Sequence, residues 1–411
     1  STDCQPKGVC MTFSGAQVFI LATILIDAIG IGLIFPMMPD HMDHIGASSA
    51  ADGAFLGGIL MAAYAAMQFF GSPVIGGLSD SYGRRPVLIA SLAALVVDYI
   101  LMALADSFAL LLIGRMLAGV AGASYVTAMA YLSDISSAKD RSAKFGLVGA
   151  TFGVGFVIGP ALGGLLTSVS LSAPFWCAAA LSAINVLFGL FVLPESLPPE
   201  RRRKMTRRDF NPFGVIFDAI RIPGIAVPLV ILFVFHFATM VYPTVWSFWL
   251  REVFGWSAAM IGLSLAAYGV GAGLSQSFVL GFLVKRLGDY RTLWLALVCC
   301  CVALFGYGFA NAGWMVFAIL IPACLGDMTA PVATAMSANL ADEDRQGVVQ
   351  GVIASMGAIT AVVAPLIVTS IFQTFASEGA PIYLPGAPYL FGLALTILVL
   401  PLVPRLRQIS Q

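Results

Sequence analysis

The sequence predicts an all-α membrane protein of twelve transmembrane helices arranged as two pseudo-symmetric six-helix bundles. Three observations predict it. Hydrophobic residues make up 59% of the 411 positions and charged residues 10%, against about 25% charged in a soluble domain. So few charges could not solvate a soluble body of this size. Apolar runs of the roughly 20 residues needed to cross hydrocarbon recur along the chain in two sets of six. A stretch of the first set is also repeated, without a gap, in the second.

The first set lies near 16–36, 54–77, 86–105, 108–132, 143–167 and 173–193, and the second near 225–250, 258–283, 291–310, 313–338, 347–373 and 385–404. No small-residue cleavage site follows the first run, so it reads as a retained helix rather than a signal peptide. The expected division is a first bundle over 1–195, a basic linker over 196–222 and a second bundle over 223–411. The linker's charge could touch anionic head groups of membrane lipid, although topology alone accounts for it.

Basic residues orient the spans. With the N-terminus in the cytoplasm, the even-numbered connections carry Arg84 and Arg85, then Lys139, Arg141 and Lys144, then the Arg201–Arg208 cluster, then Lys285, Arg286 and Arg291, then Arg345. Of the 21 basic residues only Arg251, in an outer loop, and Arg115, within a helix, fall elsewhere. This is the positive-inside pattern, and it predicts a multi-pass protein of the inner (plasma) membrane with both termini cytoplasmic.

Other classes find little support. Net charge is zero, which suggests no nucleic-acid partner. The seven cysteines, with Cys4 and Cys10 in the tail and Cys299, Cys300 and Cys301 in an apolar run, have neither disulfide nor zinc spacing. Phosphate-binding loops and nucleophile motifs are absent, so no enzyme, no ATP coupling and no cofactor or metal is expected. A monomer is the expected state.

The internal repeat pairs GGLSDSYGRRPVL (76–88) with GFLVKRLGDYRTL (281–293). Gly76, Leu78, Gly83 and Leu88 recur as Gly281, Leu283, Gly288 and Leu293, while Asp80 becomes Lys285 and Arg84 becomes Asp289. Pro160 maps on Pro365 at the same offset. Duplicated halves of this kind are a transporter architecture, with substrate bound between them near the midplane. In the first copy Gly76 and Gly83 suit a tight turn. Asp80 can accept hydrogen bonds from a helix start or an arginine such as Arg84 or Arg85. In the fifth run, Gly146, Gly155, Gly159, Gly163 and Gly164 leave a smooth face for a neighbouring helix, and Pro160 bends the helix.

Three acids fall within spans: Asp27, Asp98 and Asp327. An acid at the bilayer centre costs about 2.5–3.5 kcal/mol on insertion scales. Its charged form is the expensive one, so such a group is suited to taking up and releasing protons. Arg115 stays charged and can hold a carboxylate ionised; the sequence does not say which acid it meets. Gln68 and His236 are polar side chains fit to face a cavity, His236 reading equally as a satisfied structural histidine. Among the aromatics of the seventh run (Phe233, Phe235, Phe237, Tyr242, Trp246, Trp249), Trp246, beside Pro243, is the candidate for stacking on a flat substrate.

The loop repeat and the helix-5 glycine pattern resemble the signatures of the major facilitator superfamily and of its drug/proton antiporters. The chain resembles the tetracycline efflux (tetracycline/proton antiporter) group over nearly its whole length. IDAIGIGLIFPMMP (26–39), YAAMQF (64–69), VDYILMA (97–103), IGRMLAGVAGA (113–123), LPES (193–196), SLAAYG (264–269), GWMVF (313–317) and DRQGVVQG (344–351) carry the likeness. It implies the major facilitator superfamily fold and alternating access. The implied activity is a proton-coupled antiporter that exports tetracycline or a similar small amphipathic drug. Asp27, Asp98 and Arg115 would handle protons, and Asp27 and Gln68 would contact substrate. The sequence departs from these relatives in the ninth run, where Cys300 stands at their aspartate and no acid is present. Asp327, where they have glycine, is expected to replace that carboxylate; alternatively the second half no longer couples protons as theirs does. Transport of another amphipathic compound, a metabolite or a siderophore is the alternative activity, and a non-transporting receptor on the same scaffold a third.

Overall fold

The computed structural model describes residues 15–122, 124–137, 140–204, 225–340, 346–377 and 379–409. Cys4, Cys10, Lys139, Arg345 and linker residues 205–222, including Arg207 and Arg208, lie outside the described residues. The first bundle contains α1 (Gly15–His44), α2 (Ala50–Tyr82), α3 (Arg84–Ala103), α4 (Phe108–Asp134), α5 (Arg141–Thr167) and α6 (Ala173–Val192). The second contains α7 (Ala226–Phe254), α8 (258–287), α9 (289–309), α10 (Gly313–Asn339), α11 (Gln346–Ala376) and α12 (Ala387–Leu406).

Among the described residues eleven helical paths are long and apolar enough to cross a membrane. One of them, Ala258–Phe309, has 52 residues. As one helix it would extend about 78 Å at about 1.5 Å per residue, more than twice the ~30 Å of bilayer hydrocarbon. It reverses at Gly288, with φ 77° and ψ 167°, a conformation open to glycine. That makes two crossings of one path and twelve in all. Gly83, the repeat partner of Gly288, has φ 110° and is the whole connection between α2 and α3. The sequence also assigned Gly76 to this turn; instead it lies inside α2, because the helix continues to Tyr82 and needs positive φ only once. Likewise α1 runs on to His44 rather than ending near 36, so its last turns carry Asp40, His41 and Asp43 beyond the apolar stretch.

The packing repeats with the sequence. α1 packs on α5 and α6, and α7 on α11 and α12; α2 meets α4, and α8 meets α10; α3 meets α4 and α6, and α9 meets α10 and α12. Across the bundles α5 meets α8 and α2 meets α11, which is one contact seen twice under the pseudo-twofold.

Two prolines break helices where cavities form. Pro243 cannot donate to the carbonyl of Thr239, and the regular winding of α7 pauses at Met240. Pro331 likewise cannot serve Asp327, and α10 pauses at Asp327–Met328.

Candidate functional site

Asp27 lies mid-way along α1, and Asp98 and Arg115 face it from α3 and α4 in a cavity of about 260 Å³ that also takes in Tyr64, Gln68 and Tyr99. Arg115 Nη2 donates to Asp98 Oδ2 at 2.5 Å, which identifies the acid that the sequence left open. Asp98 is fully buried, and its second oxygen has no partner among the described residues. The Arg115 guanidinium also stands 5.7 Å from the centre of the Tyr64 ring, within range of a cation–π attraction. Asp27 makes no ion pair among the described residues. Gln68, four residues after Tyr64, donates to the carbonyl of Gly122 at 3.3 Å and fixes α2 to α4.

That cavity continues into one of about 230 Å³ between the bundles, where Phe35, Tyr64, Gln68 and Arg115 face Met240, Pro243, Ser247 and Phe248. A third, of about 290 Å³, lies against the second bundle and is lined by His236, Tyr242, Trp246, Tyr268, Tyr307 and Asp327, with Phe35 and Phe156 from the first. Here the Tyr268 hydroxyl donates to Asp327 Oδ2. Trp246 is nearly buried, with its indole N–H committed to Ser264 Oγ at 3.0 Å; only its ring is left for a ligand. His236 is half-buried on the cavity wall.

The two ends of the bundle pair differ. At the end away from the Gly83 and Gly288 turns the bundles are closed. Arg251 pairs with Asp40 and, at 2.9 Å, with Asp43; Gln373 donates to Asp52 at 2.8 Å. The α5 glycines act there as a contact face. A Cβ at Gly155 or Gly159 would strike α1, at 2.6 Å from Ala28 Cβ and from the Ile29 carbonyl oxygen respectively. One at Gly163 would strike the Leu33 carbonyl, and one at Gly164 would stand 2.8 Å from Ala259 Cα of α8. Pro160 sits at the same crossing, against Gly32 of α1 and Gly262 of α8. A Cβ at Gly146, in the other half of α5, would meet nothing within 4 Å, and the same holds at Gly273 and Gly281 of α8.

At the basic end α2 and α11 separate below Ala65 and Ala361 around a cavity of about 700 Å³, onto which Gly76, Asp80, Arg84 and Arg203 face. Asp80 accepts from Arg84 Nη1 at 2.5 Å and from Arg203 Nε at 2.7 Å. Arg84 also reaches Asp134 at 3.2 Å. Arg85 donates to the Leu190 carbonyl at 2.7 Å, and the backbone N–H groups of Arg84 and Arg85 point to the Glu195 carboxylate. The signature thus ties α2, α3, α4 and the start of the linker together.

The profile of the Major Facilitator Superfamily matches residues 20–365 and 228–410. The chain belongs to this superfamily. It is 39% identical to the tetracycline resistance protein, class C, of Escherichia coli, over 96% of this chain and 98% of that protein. It is 35% identical to the class G protein of Vibrio anguillarum, over 95% and 97%. In structure it resembles the human organic anion transporter MFSD10, with a TM-score of 0.69 at 21% identity over 95% and 99% of the two chains. It is therefore a multi-pass membrane transporter of the superfamily related to tetracycline-resistance proteins, and not an enzyme.

Sequence reasoning did not single out Tyr64 and Tyr268. Both close an Ala-Ala-Tyr tripeptide, at 62–64 and 266–268, in helices related by the pseudo-twofold. That repeat was the available signal. The Arg251–Asp40–Asp43 closure had one too, since Arg251 is the one base the sequence puts at the outer side, although it lies in the last turn of α7 rather than in a loop.

Proposed function

We propose that the protein is a proton-coupled antiporter that exports tetracycline or a similar amphipathic drug by alternating access. One observation carries the reading: all three acids within the spans line the connected cavities at and between the bundles. A proton can drive the two bundles between states only by binding one state better than the other, and carboxylates at that interface are placed to do so. The class C and class G relatives support tetracycline as the drug. The basic end is assigned to the cytoplasm, which puts both termini there and makes the present state inward-open. The moving bodies are 1–195 and 223–411, joined by the 196–222 linker, in a monomer of the inner membrane.

Within this scheme Asp27, Asp98 and Arg115 handle protons in the first bundle, and Asp27 and Gln68 contact the drug. Asp327 supplies the second bundle's titrating carboxylate. Its position supports that role: a Cβ on the preceding Gly326 would stand 2.9 Å from Cys300 Cα, so Asp327 lies beside the place where the relatives' helix-9 acid is expected. His236 and the Trp246 ring line the drug's path. The glycines of α5, with Pro160, and the Gly76–Arg85 segment guide the change of state.

The test is tetracycline uptake into inside-out proteoliposomes under an imposed pH gradient, with proton release recorded together. Wild type should accumulate drug only with the gradient, and Asp27→Asn should abolish accumulation. Gradient-independent transport would refute proton coupling, and an unchanged Asp327→Asn would refute the role given to Asp327.

A further inference from the structure

We propose that the cavity of the second bundle binds an organic ammonium group, held by Asp327 beside the rings of Tyr242 and Tyr268. The proposal rests on the exporter reading and narrows its substrate class to amphipathic amines, cationic or zwitterionic.

In the first bundle a buried carboxylate, Asp98, is neutralised by Arg115, and the same guanidinium lies over the ring of Tyr64. The second bundle has an acid and a tyrosine of its own, with Asp327 on α10, the partner of α4, rather than at the place of Asp98 on α3. Tyr268 lies one position from the residue that the 205-residue offset pairs with Tyr64, the π turn at Ser275–Val279 taking up the extra residue, and Asp327 is the carboxylate it touches. The third part, the guanidinium, is missing: among the described side chains Asp327 makes no ion pair, and the lysines and arginines of this bundle, Arg251, Lys285, Arg286, Arg291 and Arg405, all stand at helix ends. A carboxylate within a membrane protein needs either a proton or a cation beside it. At the 205-residue offset Arg115 becomes Leu320, an apolar residue on the wall of this cavity, so a cation beside Asp327 has to come from a ligand.

The walls suit a cation. Tyr242 and Tyr268 are nearly parallel, 23° apart with centroids at 6.4 Å. Trp246 meets Tyr307 at 87° and 5.0 Å, and Tyr242 meets Tyr307 at 80° and 5.9 Å. Tyr307 is fully buried and Trp246 nearly so, so the ring faces open to the cavity are those of Tyr242 and Tyr268, and such faces attract an ammonium. The break of α10 at Asp327 keeps the carboxylate partly exposed to the cavity of about 290 Å³ rather than sealed against a helix.

A proton and an ammonium compete for this carboxylate. The titratable groups around it are Tyr268 from α8, His236 and Tyr242 from α7, Cys300 and Tyr307 from α9, and Cys324 on α10 itself.

The test uses the full-length chain in detergent, titrated with trimethylammonium diphenylhexatriene and with uncharged diphenylhexatriene, and reads energy transfer from tryptophan. The ammonium probe does not titrate, so any pH response belongs to the protein. At about pH 8 wild type should bind the cation at least about tenfold more tightly than the neutral probe. That preference should vanish in Asp327→Asn, persist in Asp327→Glu, and fall away in wild type as pH drops to about 3, below the ordinary carboxyl range. His236→Gln should keep the pH response. Equal binding of the two probes by wild type, a preference undiminished by acid, or a preference retained in Asp327→Asn would each overturn the proposal; the first two need no variant. Equal binding with pH-driven tetracycline transport intact removes the amine site alone. Absent transport with a charge-selective, Asp327-dependent site removes the exporter reading alone.

Discussion

The two bundles share helix order, packing partners and a repeated turn, yet they treat charge inside the membrane in opposite ways. The first encloses a complete ion pair, Asp98 with Arg115, backed by the Tyr64 ring. The second encloses an acid and a tyrosine, Asp327 and Tyr268, with no lysine or arginine beside them among the described residues. Duplication fixed the scaffold while the polar groups diverged, because a helix packs by the shape of its faces and tolerates a changed side chain wherever that side chain faces a cavity. In the first bundle Asp98 is balanced from within, although Asp27 in the same cavity is not. In the second, Asp327 is balanced only by what enters its cavity.

The largest expected difference between the bundles is in stability. Removing one member of a buried pair leaves an uncompensated charge, at a cost of about 3–5 kcal/mol. Arg115 has 12% of its side chain exposed to the cavity, which places Arg115→Leu near the lower end, at about 3 kcal/mol. Asp327→Asn removes a group with no ionic partner and should change stability by less than about 1 kcal/mol. Thermal unfolding in one detergent compares them. Equal losses would mean that Asp327 has a counter-ion after all, and the contrast between the bundles would collapse.

The paired tyrosines sharpen the contrast at a smaller scale. The Tyr268 hydroxyl bonds a carboxylate, whereas that of Tyr64 has only a 3.5 Å contact from Gln68. Hydrogen bonds to charged groups contribute about 1.5–3 kcal/mol, so Tyr268→Phe should cost about 1.5 kcal/mol. Tyr64→Phe keeps the ring beneath Arg115 and should cost under about 0.5 kcal/mol. Denaturation of the two variants, measured side by side, checks the difference; a larger loss at Tyr64 would contradict it.

The spans, their order and the duplication are legible in the sequence because apolar length and small-residue repeats are one-dimensional signals. Asp27, Asp98 and Asp327 stand out for the same reason, each an expensive charge in an apolar run. What the sequence does not supply is pairing. The union of Asp98 with Arg115 joins different helices, and the α10 break that presents Asp327 depends on Pro331, four residues away, a link that no linear pattern marks. Tyr64 and Tyr268 escape notice singly, since a tyrosine in a span is usually packing. Gly76 reads as a turn residue because a glycine-rich motif does not reveal which glycine needs positive φ; of the glycines in the two copies, Gly83 and Gly288 have it and Gly76 and Gly281 do not.

The smallest expected effect lies at the repeated turns themselves. In the first copy Asp80 holds Arg84 one helical turn on and Arg203 of the linker, and the backbone N–H of Arg203 also donates to the Asp80 carbonyl at 3.1 Å. In the second copy the charges are exchanged, and Lys285 and Asp289 form no ion pair among the described residues; Arg286 instead lies over the Phe282 ring at 4.9 Å. Exposed pairs contribute about 0–1 kcal/mol, and Arg203 is half exposed, so Asp80→Asn should cost less than about 1 kcal/mol globally. Its effect should be local: faster amide exchange over 199–204, where the linker begins, with the core helices unchanged. Asp289→Asn should leave exchange unaltered throughout. Were both variants silent, the first turn would be as loosely held as the second. The difference between the bundles would then be confined to the membrane interior.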